Sequence, residues 1–251
     1  MAANSGARLP VVAFFDVDNT LLHGASLWYL ARGSRKLGIV RVRDMARFFY
    51  QVVRFQRRGE HLGALDRIRD RGMQLLAGHD VGELRQLARE VVDHMHPRLW
   101  PETVALLTEH LRQGHQVWLV SATPDFLAEE LAARLGATGG LGSPLEIADG
   151  RFTGGFSGPT MHGAEKGVAA TRLLAEQHVD AADCYAYSDS INDLPLLSAI
   201  GTAVAVNPDR ALAEHARQVG WRVLRLDPAS IKAERRRIRA STRGVRPNVR
   251  H

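Results

Sequence analysis

Short apolar runs alternate with helical patterns along most of the 251-residue chain. A run of about five apolar residues is long enough for a strand that is covered on both faces, as in parallel sheets. Segments with apolar residues at helical spacing separate the later runs. This alternation predicts an α/β fold with a doubly wound parallel sheet. Strands are predicted at 11–15, 117–120, 183–187, 203–206 and 222–226, with a hairpin around the Asp-Gly pair at 149–150.

The segment 22–100 has no convincing strand pattern and contains several helical ones. One of them places apolar residues at helical spacing: Met45, Phe48, Phe49, Val52 and Val53. The core pattern resumes at Pro101, a residue type that is tolerated in the first turn of a helix. We therefore predict a catalytic core made of 9–21 and 101–231, which is interrupted by a helical cap at 22–100.

Two carboxylates follow the first apolar run, where a buried strand would end. Asp16 and Asp18 stand two residues apart, so they would point the same way if the strand geometry continues. Ligands in open parallel sheets bind at the carboxyl ends of the strands. Oxygen ligands of this kind suit Mg²⁺, whose charge would offset the mutual repulsion of the carboxylates. The alternative is an Asp-Asn-Thr turn that caps the following helix.

Polar residues also follow two later strands. Ser121 and Ala122 come after the run at 117–120, where the Ser121 hydroxyl and nearby N–H groups could grip phosphate oxygens. An ordinary helix cap is the alternative. Asp189 and Asp193 follow the strand at 183–187, and Asp193 could instead be a residue that matches the dipole of the next helix.

Lys166 lies at the start of a further helical pattern. A solvated side chain is the default interpretation of a single lysine. A site with four carboxylates, a metal ion and a phosphate would need a fixed cation to balance the charge, and this requirement favours a role for Lys166 in the site.

Together these segments resemble the haloacid-dehalogenase-like hydrolase superfamily, within its phosphoserine-phosphatase-like branch, subfamily IB. The resemblance rests on Asp-Val-Asp-Asn-Thr at 16–20, Ser121, Lys166, and Ser-Asp-Ser-Ile-Asn-Asp at 188–193. It implies a Rossmann-like core with an inserted helical cap. It also implies a Mg²⁺-dependent phosphomonoester hydrolase that acts through an aspartyl-phosphate. A phosphotransferase stays open, because an aspartyl-phosphate can pass to an acceptor other than water.

The resemblance also implies a role for each matching residue. Asp16 would attack phosphorus, and Asp18 would act first as general acid and then as general base. Three groups would hold Mg²⁺: the Asp16 carboxylate, the Asp18 backbone carbonyl and the Asp189 carboxylate. Three groups would bind the phosphoryl oxygens: Ser121, the Ala122 N–H and Lys166. Two residues would support the waters of the metal ion: Asn192 and Asp193.

The substrate is less constrained than the chemistry. Phosphoserine phosphatases of this branch carry a glutamate that pairs with the substrate amine, and Ala25 stands at that position here. Arg71 is the best placed match for the carboxylate-binding arginine of the branch, with a surface charge as the alternative. Three side chains could take over the amine contact, and the spacing selects none of them: Glu60, His61 and Asp66. Phosphoserine, another small phosphomonoester and a lipid-linked phosphate are therefore all candidate substrates.

Composition and charge bear on location and partners. A hydrophobic content of 45%, the single Cys184 and an N-terminus without a long apolar stretch predict a cytoplasmic enzyme. Basic residues concentrate in the cap, around Phe48–Tyr50, and at 232–251, where eight Lys or Arg residues accompany one Glu. We predict that this tail is disordered. Both basic zones could rest peripherally on an anionic membrane.

These basic zones leave a second function class open. It is a non-catalytic basic module that binds a membrane or nucleic acid, although we expect no specific nucleic-acid partner. Its weakness is that it gives no reason for carboxylates after two separate strands.

Overall fold

The central layer of the protein is a six-stranded parallel sheet. A computed structural model describes residues 10–36, 38, 43 and 72–244. The strands are β1 (Val12–Asp16), β2 (Gln116–Pro124), β3 (Gly139–Ser143), β4 (Leu145–Ala148), β5 (Arg151–Phe156), β6 (Tyr185–Ser188), β7 (Thr202–Val206) and β8 (Arg222–Leu224). The sheet order is β3-β2-β1-β6-β7-β8, and every neighbouring pair is parallel. The predicted doubly wound α/β fold is confirmed.

Helices cover both faces of this sheet. They are α1 (Ser26–Lys36), α2 (Val81–Met95), α3 (Pro101–Arg112), α4 (Asp125–Leu135), α5 (Ala164–Glu176), α6 (Leu194–Ser198), α7 (Arg210–Val219) and α8 (Pro228–Gly244). Side chains of β1 alternate between two apolar cores, as the strand geometry requires. Val12 and Phe14 pack in the core that includes residues of α5, α6 and α7. Ala13 and Phe15 pack in the core that includes residues of α2, α3 and α4.

Two helices of the predicted cap, α1 and α2, lie against each other at close range. A Cβ atom at Gly33 of α1 would come within 2.6 Å of Val91 Cγ2, so a larger residue would push the two helices apart. Helix α2 begins with a capping box, in which the Asp80 carboxylate accepts from Gly82 N at 2.7 Å and Glu83 accepts from Asp80 N at 3.2 Å. The predicted helix at 45–53 lies outside the described residues.

Strands β4 and β5 form the predicted hairpin, apart from the main sheet. Asp149 and Gly150 both have positive φ, 50° and 75°. These values are typical of the tight turns that Asp-Gly pairs favour, because they match the twist of the flanking strands.

Main-chain hydrogen bonds join this hairpin to the segment that precedes α2. Gly78 N donates to Phe152 O at 2.7 Å, and Phe152 N donates to His79 O at 3.0 Å. Val81 N donates to Gly150 O at 3.1 Å. The Phe152 side chain is buried in the same core as α2. The hairpin is therefore structurally continuous with the start of α2.

The C-terminal segment corrects one of our predictions. We expected disorder over 232–251, but α8 is helical as far as Gly244, and residues 245–251 lie outside the described residues. The buried side chain of Ile231 anchors its start, next to a cleft that is also lined by Val104. Basic composition alone suggested disorder, yet Ala, Arg, Lys and Glu are good helix formers once a helix has such an anchor. In the described part of the chain, no helix is long and apolar enough to cross a membrane.

A polar network lies beneath β1 and β6, on the face covered by α3. His110 is buried there and shares a 2.8 Å hydrogen bond between its Nε2 and Tyr187 Oη. Its Nδ1 lies 2.8 Å from His115 Nδ1. The Tyr187 ring stacks on Phe15 with 4.2 Å between centroids. Burial, and to a smaller extent the charge of His115, lower the pKa of His110 to about 4.

This buried histidine makes stability sensitive to acid. The ordinary pKa of histidine is about 6.5. Between pH 6.5 and about 4, His110 is therefore protonated in the unfolded chain but neutral in the folded protein, so acid favours unfolding. From pH 7.5 to 4.5 the unfolding free energy should fall by about 2–3 kcal/mol more in the wild type than in His110→Gln. Urea unfolding at both pH values measures this difference. Equal losses in the two proteins would mean that another group titrates.

Candidate active site

The carboxyl ends of β1, β2 and β6 meet at the point where the chain reverses its direction of winding. Strand β1 lies between β2 and β6, and the connections on the two sides run in opposite directions along the sheet. In open α/β sheets a crevice forms at such a point, outside the carboxyl ends of the strands. Asp16 ends β1 and Ser188 ends β6, so both segments deliver polar groups to the same crevice.

Four buried side chains form one connected network there. Lys166 Nζ donates to Asp16 Oδ1 at 2.5 Å and to Asp193 Oδ2 at 2.7 Å. Ser188 Oγ donates to the same Asp193 oxygen at 2.6 Å. Lys166 is 4% exposed, so it is not the solvated lysine of the default interpretation. Its position near the start of α5, 150 residues away in sequence from Asp16, brings a fixed cation to the end of β1.

Burial disfavours charge on the carboxylates of this site. It raises the pKa of Asp16 well above the ordinary range, although Lys166 opposes the effect. It raises the pKa of Asp189 to about 7, and the negative charge of Asp193 adds to the shift. For Lys166, burial opposes the ammonium, but the attraction of Asp16 and Asp193 outweighs it and raises the pKa.

Asp18 is held by the start of α1. Ser26 N donates to Asp18 Oδ1 at 2.8 Å, which fixes the direction of the carboxylate. Burial raises the pKa of Asp18, while the hydrogen bonds from Ser26 oppose that shift. A carboxyl group whose pKa is raised is better suited to carry a proton than an ordinary surface aspartate.

The segment after the apolar part of β2 contains the predicted phosphate ligands. Strand β2 does not end at residue 120 as predicted, since it continues to Pro124 after a register shift against β3. Ser121 is buried, and its Oγ accepts from Thr123 N at 3.2 Å. The Ala122 carbonyl accepts from Ser143 Oγ at 3.0 Å. The segment is thus an irregular continuation of β2, held by these two hydrogen bonds, rather than an ordinary helix cap.

The segment after β6 places the last three predicted site residues. Asp189, Asn192 and Asp193 lie on a loop that includes a 3-10 turn, Ile191–Asp193. Asp193 makes no side-chain cap for α6, so its carboxylate serves the network with Lys166 instead of the helix. Asn192 is half-buried on the same loop, and Asn192 N donates to Ser190 Oγ at 3.3 Å.

Two residues considered for substrate binding are placed differently. Ala25 is exposed immediately before α1, beside the Ser26 that contacts Asp18. Arg71 lies outside the described residues, so its role stays a prediction.

Several polar contacts of the site had no counterpart in our sequence analysis. Ser188 contacts Asp193, Asn19 contacts the Asp189 carboxylate, and Ser143 braces Ala122. Asn19 has a φ of 57°, a conformation that asparagine adopts more readily than most residues. The asparagine directly after the paired carboxylates was therefore a local sequence signal for this contact. The Ser143 contact joins residues 21 positions apart and has no local sequence signal.

The donor set of the crevice fits a divalent cation. Asp16, Asp18, Asp189 and Asp193 lie near a single ammonium, so a divalent cation would offset the mutual repulsion of their charged forms. Within the described residues, no three His, Cys, Asp or Glu side chains converge on a common metal position. The predicted ligand set does not need such a group, since it uses two carboxylates and one backbone carbonyl. Hard oxygen donors of this kind suit Mg²⁺.

Comparisons with known proteins agree with this geometry. Phosphoserine phosphatase SerB1 of Mycobacterium tuberculosis is 40% identical over 228 residues, which cover 88% of this chain and 74% of the relative. Histidinol-phosphatase of Neisseria meningitidis is 33% identical over 220 residues, covering 85% and 97%. A solved structure of a Bordetella pertussis protein of unknown function has a TM-score of 0.75 at 30% identity, covering 86% and 98%. Residues 13–198 match the family model described as haloacid dehalogenase-like hydrolase. The chain belongs to the haloacid dehalogenase-like hydrolase family.

Proposed function

We propose that this hydrolase is a Mg²⁺-dependent phosphomonoesterase that forms an aspartyl-phosphate on Asp16. The observation that carries the proposal is the buried contact of Asp16 with Lys166 at the sheet crevice. A nucleophile at that place would attack phosphorus beside a cation that already lies within hydrogen-bond distance. Phosphoryl transfer depends mainly on such positioning and charge balance.

The first half of the reaction would use both carboxylates of the first motif. An Asp16 oxygen attacks phosphorus in line, and the bond from phosphorus to the ester oxygen breaks. Asp18 delivers its proton to the departing alkoxide, a task that its raised pKa supports. The products of this half are the free alcohol and phospho-Asp16.

The second half regenerates the enzyme. Water attacks the phosphorus of phospho-Asp16, and Asp18 takes a proton from that water. The bond between phosphorus and Asp16 breaks, which releases inorganic phosphate and restores both carboxylates to their starting forms. Transfer to another acceptor in place of water would make the same chain a phosphotransferase.

Charge on the phosphoryl oxygens would be balanced by three groups from two segments. We assign this role to Ser121, the Ala122 N–H and Lys166. When bound by the Asp16 carboxylate, the Asp18 carbonyl and Asp189, Mg²⁺ would supply further positive charge at these oxygens. Asn192 and Asp193 would support it through hydrogen bonds to its waters.

The substrate class proposed is a small phosphomonoester. Phosphoserine is the first candidate, because the M. tuberculosis relative is named a phosphoserine phosphatase. The side chain of Ala25 has no carboxylate that could pair with the amine of phosphoserine. The N. meningitidis relative is named a histidinol-phosphatase, which makes histidinol phosphate the second candidate.

Release of phosphate from a panel of esters tests the proposal. The panel contains phosphoserine, histidinol phosphate, a phosphosugar and a short-chain lipid phosphate, each with Mg²⁺ or with EDTA. We expect release that requires Mg²⁺ and is fastest with one of the small esters. Release of equal rate in EDTA would contradict the metal dependence. The absence of release from every ester would contradict the proposed phosphomonoesterase activity. If the lipid phosphate were the fastest substrate, lipid phosphates would replace small esters as the proposed substrate class.

A further inference from the structure

Asp209 makes contacts with both sides of the loop that carries Asp189. It is exposed and lies at the start of α7, outside the four segments of the predicted site. Asp209 N donates to Asp189 O at 2.8 Å. Its Oδ2 accepts from Ile191 N at 2.9 Å and from Ser190 Oγ at 3.4 Å. One residue therefore holds the loop both at Asp189 and beyond it.

The second carboxylate oxygen of Asp209 has a different partner. Oδ1 accepts from Leu212 N at 2.8 Å and so caps the N-terminus of α7. Helix α7 is itself anchored, because Leu212 and Ala216 are buried in the core beneath β7. The loop is thereby tied to a rigid element of the fold rather than to another loop.

The contacts of the loop with itself explain why such an anchor matters. Ser190 N donates to Ser188 Oγ at 3.2 Å, and Ser188 Oγ donates to Asp193 Oδ2. These bonds bend the chain around Asp189. The loop is also tied to the end of β1, because Lys166 bridges Asp193 and Asp16 and because Asn19 contacts the Asp189 carboxylate. The bonds from Asp209 tie the loop to α7 at Asp189 and Ile191, a connection that Lys166 and Asn19 do not make.

We propose that Asp209 is a positioning residue for the metal ion, which holds Asp189 in place for Mg²⁺ before the ion binds. The inference rests on the proposed function, since it takes Asp189 as a metal ligand. Groups that orient metal ligands contribute to metal affinity although they do not touch the metal, and their loss typically costs about 10–100-fold in affinity.

The variant Asp209→Ser separates the two tasks of the carboxylate. Serine is as good a helix cap as aspartate, so the bond from Leu212 N is retained. The backbone bond from Asp209 N to Asp189 O is also retained. Serine has a single oxygen, so Ile191 N loses its acceptor while the oxygen caps α7. We expect the dissociation constant for Mg²⁺ to rise by about 10-fold or more.

Binding of Mg²⁺ is measured by calorimetry in the absence of substrate, so the result does not depend on turnover. The rate of phosphate release is then measured against Mg²⁺ concentration, and we expect the loss in Asp209→Ser to recover at high Mg²⁺. Asp209→Asn provides a second variant if the serine protein is poorly folded, because it keeps the size and one acceptor oxygen.

Asp180→Ser is the matched control. Asp180 is an exposed residue that caps a 3-10 turn before β6, with Ala182 N donating to Asp180 Oδ1 at 2.9 Å. It lies at the opposite end of β6 from Asp189, so its substitution should leave Mg²⁺ affinity unchanged. An equal loss of affinity in this control would overturn the inference, because the effect would then be general destabilisation.

The remaining outcomes distinguish the inference from the proposed function. If the wild type binds Mg²⁺ and both Asp209 variants bind it equally well, the positioning role is overturned. If the wild type binds no Mg²⁺, the proposed metal and the positioning role are overturned together. If Asp209→Ser weakens binding while no ester is hydrolysed, the positioning role stands and the proposed reaction is wrong.

Discussion

The variant Asp16→Asn is expected to release phosphate at least about 10⁴ times more slowly than the wild type at saturating Mg²⁺. An amide has nearly the same shape as the carboxylate, but it is a poor nucleophile and cannot form the aspartyl-phosphate. The fold should persist, because the amide oxygen can still accept from Lys166 Nζ and Asp193 remains as the carboxylate partner of Lys166. Thermal unfolding of the variant and steady-state phosphate release together measure both expectations.

A matched control for Asp16→Asn is Asp149→Asn. Asp149 is exposed in the hairpin turn with a φ of 50°, a conformation that asparagine also tolerates. Its substitution should leave turnover unchanged. Turnover of Asp16→Asn within tenfold of the wild type, in protein whose mass verifies the asparagine, would show that Asp16 is not the nucleophile.

The variant Lys166→Met should lose both activity and stability. A hydrogen bond to a charged group contributes about 1.5–3 kcal/mol, so kcat/KM should fall by about 10- to 150-fold through the lost phosphate contact. Methionine also leaves Asp16 and Asp193 buried without their cation. Removal of one partner from a buried ion pair typically lowers the unfolding free energy by about 3–5 kcal/mol.

The pH dependence of the stability of Lys166→Met provides a further check. Protonation of Asp16 removes the uncompensated charge, so the stability deficit should shrink as the pH falls. Urea unfolding at pH 8 and pH 6 measures this change. Lys232→Met, which changes an exposed lysine of α8, is the control and should match the wild type in both assays. Equal rates for Lys166→Met and the wild type would contradict a role for Lys166 in binding phosphate.

Much of the architecture was predictable because strand formation in this chain follows local patterns. The apolar run at 11–15 has no polar residue to interrupt it, and it becomes β1 with one residue of shift. Asp149 and Gly150 favour a single turn geometry, which the hairpin adopts. The sheet order also follows general preferences for parallel α/β topology, in which β1 takes a central position.

Contacts between distant segments were harder to predict. Asp209 follows Pro208 at the start of a helix, so the sequence indicates a cap, but nothing local indicates that its second oxygen binds the loop of Asp189. The bond between His110 and Tyr187 likewise depends on how α3 crosses the sheet. Such contacts are properties of the assembled fold.

Helix α8 shows where composition misled our sequence analysis. The segment from 232 is rich in arginine and poor in apolar residues, which is typical of a solvated extension. The buried Ile231 supplies packing that converts local helix propensity into a helix. Binding of an anionic membrane by this helix or by the cap stays a prediction.

The hydrogen bonds between the hairpin and the segment before α2 have a mechanical consequence. Three main-chain bonds and the buried Phe152 connect the two, so α2 cannot swing away from the crevice on its own. Any movement of α2 would carry the hairpin with it. A movement of α2 would therefore require rotation in the connections at both ends of the hairpin as well as in the connections of the cap. A substitution in either set of connections would change the same movement.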